Sequence, residues 1–237
     1  MRQRRDYMHS LRERNTLQYR ETMCGRFTLH SRDRLTPRYN IAPSQDVFAI
    51  GEFGMGVEGR MLTWGLIPSW STDGKGFINA RVETLEQRPS FSESFRLRRC
   101  LIPADGFFEW KRTGKDKRPY YIQLVDETPM MFAGIWDVWR NRGQVVTSCA
   151  IITAPANELI GKLHERMPAI LPSELQDAWL SPKTDRIELL RMLRTSSSAS
   201  MKMHPVSSSV NSVANDSADL VVPVEVELGQ TLSLFDF

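Results

Sequence analysis

Met130-Met131-Phe132-Ala133-Gly134-Ile135-Trp136-Asp137-Val138-Trp139, a turn at Asn141-Arg142-Gly143, then Val145-Val146-Thr147-Ser148-Cys149-Ala150-Ile151-Ile152-Thr153: this stretch decides the fold. Two runs rich in β-branched and aromatic residues, separated by a glycine-bearing turn, read as an antiparallel hairpin. Upstream, the same signal recurs at Val47–Ile50, Arg60–Trp64, Arg99–Ile102, Gly106–Lys111 and Tyr120–Leu124, with a further turn at Thr113-Gly114-Lys115. Consecutive strands on short loops predict a curved, mostly antiparallel, barrel-like β core. Helical periodicity comes late, at Pro155–Leu163, at Ser173–Leu180 behind a capping serine, and at Thr184–Leu193 with Ile187, Leu190 and Leu193 on one side. Strands first and helices last define a single α+β domain flanked by a few helices. No internal repeat is present.

The 237 residues are 41% hydrophobic and 25% charged, an ordinary globular composition. No apolar run approaches the roughly 20 residues of a membrane span. The arginine-rich N-terminus lacks the apolar core of a secretory signal. Cys24, Cys100 and Cys149 are odd in number and lack CxxC spacing, so the chain is expected in a reducing, cytoplasmic compartment without a disulfide framework. His9, His30, His164 and His204 form no metal-ligand cluster, and neither metal nor cofactor is expected. The net charge of +3 sits entirely in residues 1–22, where six arginines face three acidic residues; the rest of the chain is formally neutral. Nucleic-acid binding by the folded part therefore needs a local patch.

Met23-Cys24-Gly25-Arg26-Phe27 reads as an N-terminus that happens to be internal. If translation starts at Met23 and that residue is removed, Cys24 offers an α-amine beside a thiol. The pair can condense with an aldehyde: the amine forms an imine and the sulfur closes a five-membered thiazolidine. The α-amine pKa of roughly 7.7–8.0 leaves a useful neutral fraction. The other reading of Cys24 is a small buried hydrophobe in a first strand.

Five more blocks stand out. Asn79 and Arg81, at alternate positions of Phe77–Thr84, share a face if extended. Glu109 lies among three aromatics in Asp105–Lys111, surroundings that raise a carboxyl pKa and suit it to proton transfer. His164, in His164-Glu165-Arg166-Met167-Pro168, is a second titratable group, read at a helix end ahead of a proline. Arg38–Pro43 and Trp64–Trp70 read as rigid, proline-set loops. Each block also reads as ordinary structure: Glu109 as the solvent side of a strand, His164 as a surface histidine, Arg81 in a surface ion pair, Trp64 and Trp70 as core.

In order, MCGRF, RYNIAPSQ, WGLIPSW, INARVET, CLIPADGFFEWK, IITAPAN, HERMP and HPVSSSVN span Met23 to about Pro223. This series resembles the SRAP family, the SOS-response-associated peptidases that process abasic sites. The resemblance implies that Cys24, once N-terminal, captures the ring-opened sugar aldehyde of an abasic site in single-stranded DNA. It implies active-site roles for Asn79, Glu109 and His164, with Glu109 moving protons on the amine and imine and His164 assisting sugar ring opening. Arg26, Asn40, Pro43, Trp70, Arg81 and Arg166 match positions along the family's DNA groove. The resemblance also turns Met203–Ser207 from a serine-rich linker into a closing strand, leaving Thr195–Ser200 loose.

It further implies weak abasic-lyase activity, and self-cleavage before Cys24 as the alternative to a start at Met23. The expected organisation is a basic extension 1–22 absent from the mature protein, a domain over 23–225 and a flexible tail 226–237. The chain is expected to be a monomer, with no membrane partner and nucleoid-associated when bound to DNA. Two departures stand out: only ten residues separate Phe27 from Arg38, and Ser71 follows Trp70 where many relatives carry a second large apolar wedge. Other readings of the same residues are a non-covalent nucleic-acid-binding module and a cysteine hydrolase using Cys24 and His164.

Overall fold

The computed structural model describes residues 25–225 except 32–34, 55, 115 and 195–197. The expected extension 1–22, the tail 226–237 and Cys24 itself lie outside the described residues. The described strands are β1 (Phe27–Leu29), β2 (Arg38–Ile41), β3 (Asp46–Gly54), β4 (Gly56–Trp64), β5 (Asn79–Arg81) and β6 (Arg99–Ala104). They continue with β7 (Gly106–Thr113), β8 (Asp116–Leu124), β9 (Met130–Asn141), β10 (Gln144–Pro155), β11 (Arg166–Pro168) and β12 (Met201–Pro205). The α-helices are α1 (Ser92–Leu97), α2 (Ser173–Leu180) and α3 (Arg186–Met192).

β9 and β10 form the expected hairpin, pairing Asn141 with Gln144 through to Gly134 with Ile151. Its two-residue turn puts Arg142 at φ 45° and Gly143 at φ 78°, the left-handed pair that matches strand twist. The order β10-β4-β3-β6-β9, closed by the β9–β10 pairing, makes a five-stranded barrel in which only the β4–β10 pairing is parallel. A second sheet, ordered β12-β8-β7-β1-β2, packs on it through Phe27 and Phe107. Phe27 meets the rings of Trp64 at 5.2 Å and Phe132 at 5.9 Å, and Phe107 meets Phe132 at 6.1 Å. Each such buried side chain contributes on the order of 2 kcal/mol of transfer free energy. Alternation sends Phe108 and Tyr121 to the other face, where Val206, Val210 and Leu220 of the C-terminal segment cover them. Gly106 is required here, because a Cβ would lie 2.2 Å from the Tyr121 ring.

The helices cover a separate cluster in which Phe95, Trp179, Leu189 and Met192 pack with Leu101, Ala133, Ile135 and Ile152. The buried Arg99 guanidinium donates to the carbonyls of Phe95, Arg96, Trp179 and Ser181, satisfying the C-terminal ends of α1 and α2 together. Met201–Pro205 is a closing strand, paired with β8 as expected.

Several local readings are corrected. Pro155–Leu163 is not an α-helix: β10 runs to Pro155, and only Ile160–Lys162 makes a 3-10 turn. The reason is β11, which folds back on β10 and pairs Thr153 to Pro155 with Pro168 to Arg166. His164 therefore stands in a hairpin loop, not at a helix end. Pro172 occupies the N-cap of α2 and Ser173 makes no capping bond, whereas Asp185 caps α3 by accepting from Ile187 and Glu188. Ile187 is exposed, and α3 buries Leu189 and Met192, with Leu193 just beyond its end. The proline-set loop at Arg38–Pro43 begins as strand β2, and α1 carried no periodicity long enough to read.

Candidate functional site

The site is built at the C-terminal end of β10, where two short strands flank one long one. β5 lies parallel on one edge, setting Asn79 beside Ile151 and Arg81 beside Thr153. β11 lies antiparallel on the other, setting Arg166 beside Pro155. Within β5 the expected alternation holds: Ala80 is fully buried, while Asn79 and the exposed Arg81 share the opposite face. The Ile78 carbonyl, just before Asn79, accepts from the Ile151 amide at 3.0 Å and from Trp64 Nε1 at 2.9 Å. Trp64 is thus core, and it links Asn79 to Phe27 near the start of β1.

Glu109 enters from the second sheet. It shares β7 parity with Phe107, so its side chain stands on the barrel-facing side, and it is only 4% exposed. The solvent-side reading of Glu109 is overturned. β1 approaches it in register: Phe27 pairs with Phe107, and the Phe108 amide donates to the Arg26 carbonyl at 3.0 Å.

His164 follows the 3-10 turn, and its Nδ1 accepts from the Arg166 amide at 3.0 Å. That bond places the ring proton on Nε2, which has no protein partner among the described residues. Arg166 is 8% exposed and forms a fork with Glu83, Nη1 to Oε1 at 2.5 Å and Nη2 to Oε2 at 2.9 Å. Nη2 also donates to the Thr153 carbonyl at 2.6 Å, locking the guanidinium to β10. The Arg166 bond holds the Glu83 carboxyl below its ordinary pKa of 4.5. Glu83 lies in the INARVET block, but its pairing across 83 residues left no local trace.

The remaining groove residues divide. Trp70 is 59% exposed, and its loop is fastened on both sides. The Ile67 amide donates to Ser148 Oγ at 2.8 Å, the Ser69 amide to Asp137 at 2.9 Å, and Trp139 Nε1 to the Ser71 carbonyl at 2.7 Å. The core reading fits Trp64 but fails for Trp70. Pro43 is half-buried beside Ser44, whose amide is held by the Trp64 carbonyl at 2.8 Å.

Asn40 faces inward. It is fully buried, accepts from Arg26 at 3.0 Å, and donates to the carbonyls of Val210, Ser212 and Asn215 at 3.2, 2.9 and 2.8 Å. Arg26 also donates to the Val210 carbonyl at 2.7 Å, and burial lowers its pKa. Asp216 accepts from the Tyr39 and Asn40 amides and from Arg38. These residues fasten residues 210–216 as a clasp over the second sheet. Asp216 was missed in the sequence because nothing near it signals a partner some 176 residues upstream.

Cys100 and Cys149 are fully buried, and desolvation pushes both thiols up from their ordinary pKa. Neither can offer a thiolate to a substrate. No described grouping of His, Cys, Asp or Glu could hold a metal ion, and no described helix is long and apolar enough to cross a membrane.

The fold defines a single-domain α+β protein in which a second sheet packs on a five-stranded barrel. The chain belongs to the SRAP family: the model of SOS response associated peptidases matches residues 9–213. It is 41% identical to the abasic site processing protein YoqW of Bacillus subtilis, covering 84% of this chain and 99% of that one. It is 32% identical to the abasic site processing protein YedK of Escherichia coli, covering 79% and 85%. A crystal structure of a Bacteroides thetaiotaomicron protein superposes with a TM-score of 0.74 at 29% identity, over 81% of this chain and 88% of that one.

Proposed function

We propose that this chain processes abasic sites in single-stranded DNA by covalent capture through Cys24. The observation that supports the reading is the β1–β7 register, in which the Arg26 carbonyl, two residues after Cys24, accepts from the amide of Phe108, the neighbour of the buried Glu109. Cys24 is one peptide, about 3.8 Å of Cα spacing, from Gly25. The abasic site processing names of the relatives support the substrate.

The ring-opened abasic sugar presents an aldehyde. The Cys24 α-amine adds to its carbon, and loss of water gives an imine. The thiol sulfur then adds to the imine carbon as the nitrogen takes up a proton, closing the thiazolidine with one water lost in total. Glu109 accepts and returns the protons of these steps, its position on the barrel-facing side keeping it out of bulk solvent. His164 presents Nε2–H toward the sugar oxygen during ring opening. Asn79 orients the sugar from β5, and the second step gains from being intramolecular. Arg81, exposed on β5, grips a flanking phosphate while the buried Arg166–Glu83 fork braces β11 against β10, and Trp70, held rigid by its loop, stacks on or wedges beside a neighbouring base.

The reaction requires a free amine on Cys24, so residues 1–22 must be absent from the working protein, through a start at Met23 or self-cleavage. A chain beginning at Cys24 is expected to form a denaturation-resistant complex with a single-stranded oligonucleotide carrying one abasic site, and none with intact DNA. Cys24→Ala is expected to abolish it, and Glu109→Gln to slow it about 10²-fold. A stable adduct in Cys24→Ala would refute the mechanism. Activity that survives blocking the α-amine would favour a cysteine hydrolase.

A further inference from the structure

The β7–β8 ribbon carries a concentrated basic charge toward its turn. Residues 111–118 hold five basic residues, Lys111, Arg112, Lys115, Lys117 and Arg118, against Asp116 alone. The antiparallel register places Lys111 directly opposite Arg118 and Arg112 directly opposite Lys117. Like charges in direct opposition weaken a two-stranded ribbon. Lys111, Arg112 and Arg118 have no carboxylate partner among the described residues, whereas Arg38, Arg60, Arg166, Arg186 and Lys202 each have one.

Parity separates the two faces. Lys111 shares the face of Glu109, and its cross-strand partner Arg118 stands beside it there, both exposed. Two residues of strand carry the chain only about 7 Å beyond Glu109. On the other face Trp110 fixes the ribbon, donating from Nε1 to Asn211 at 2.8 Å with Lys117 4.9 Å above its ring.

We propose that Lys111 and Arg118 form a phosphate clamp for the single strand as it leaves the site, contacting the backbone beyond the lesion. The clamp rests on the nucleic-acid reading above and adds residues outside the groove already described. A phosphodiester between the two side chains relieves their mutual repulsion, which supplies affinity without sequence preference.

The test measures binding of the chain beginning at Cys24 to an intact single-stranded oligonucleotide by fluorescence anisotropy across a salt series. The double variant Lys111→Gln/Arg118→Gln is expected to bind more weakly at low salt, with a log–log salt slope shallower by about 1.4, two contacts at about 0.7 each. Lys183→Gln/Arg191→Gln removes the same charge from exposed positions near the helices and is expected to leave the slope unchanged. Arg118→Gln alone, expected to remove about half the change, serves if the double variant does not fold. An unchanged slope in the ribbon variant, or an equal loss in the control pair, overturns the clamp alone. So does equally tight, ribbon-dependent binding of polyglutamate, which would make the ribbon a docking site for acidic peptides. A wild-type chain with no affinity for single strands overturns the clamp and the proposed function together.

Discussion

Replacing Asn40 by alanine tests whether this residue builds the clasp or touches the nucleic acid. The side chain is fully buried, with one accepted bond from a guanidinium and two Nδ2 protons shared among three carbonyls. Truncation removes a charge-assisted bond, worth about 1.5–3 kcal/mol, and two neutral ones, worth about 1 kcal/mol each. Ser212 and Asn215 are exposed, so water reaches part of the vacated site and recovers some of the loss. The expected cost is about 3 kcal/mol, or a fall in Tm of about 6–12 °C for a domain of this size. Thermal unfolding reads the first quantity, and limited proteolysis with product masses reads the second, a new sensitivity within residues 208–217. Asn40→Asp keeps the acceptor for Arg26 but turns an oxygen toward the three carbonyls, so it should be at least as damaging. A loss below about 1 kcal/mol with unchanged proteolysis, alongside weakened DNA binding, would refute the clasp argument.

Trp70→Ala is expected to leave Tm within about 1 °C, because the side chain is mostly exposed and its loop is tied through backbone groups. It should weaken single-strand binding by about 1–3 kcal/mol per lost stack, read by anisotropy; a large fall in Tm would show that the indole is structural. Glu83, held below its ordinary pKa by Arg166, stabilises the fold above pH 4.5, and that contribution is lost as pH falls through the folded value. Glu83→Gln should therefore lower stability at neutral pH and flatten its fall in this acid range, converging with the unsubstituted chain at low pH; an unchanged acid limb would show that the fork contributes nothing to folding.

The hairpin of β9 and β10, its Arg142-Gly143 turn and the helix at Ser173–Leu180 were legible because each is written in contiguous periodicity and turn chemistry. So was the shared face of Asn79 and Arg81, which needs only strand alternation. The barrel-like curvature was expected, but which strands close it was not legible, since closure depends on β4 and β10 meeting in parallel and on β5 continuing the same edge. The two tryptophans of WGLIPSW make the distinction sharply. Local sequence treats them alike, yet Trp64 is buried against Phe27 and bonded to Ile78, while Trp70 stands exposed on a loop held by bonds from the Ser69 amide to Asp137 and from Trp139 to the Ser71 carbonyl. The Arg166–Glu83 fork and the Asn40 clasp likewise join segments far apart in the chain. Period and propensity are local quantities that a sequence states directly. Which distant surfaces meet follows from the summed burial and hydrogen bonding of the whole chain, and only the tertiary structure decides it.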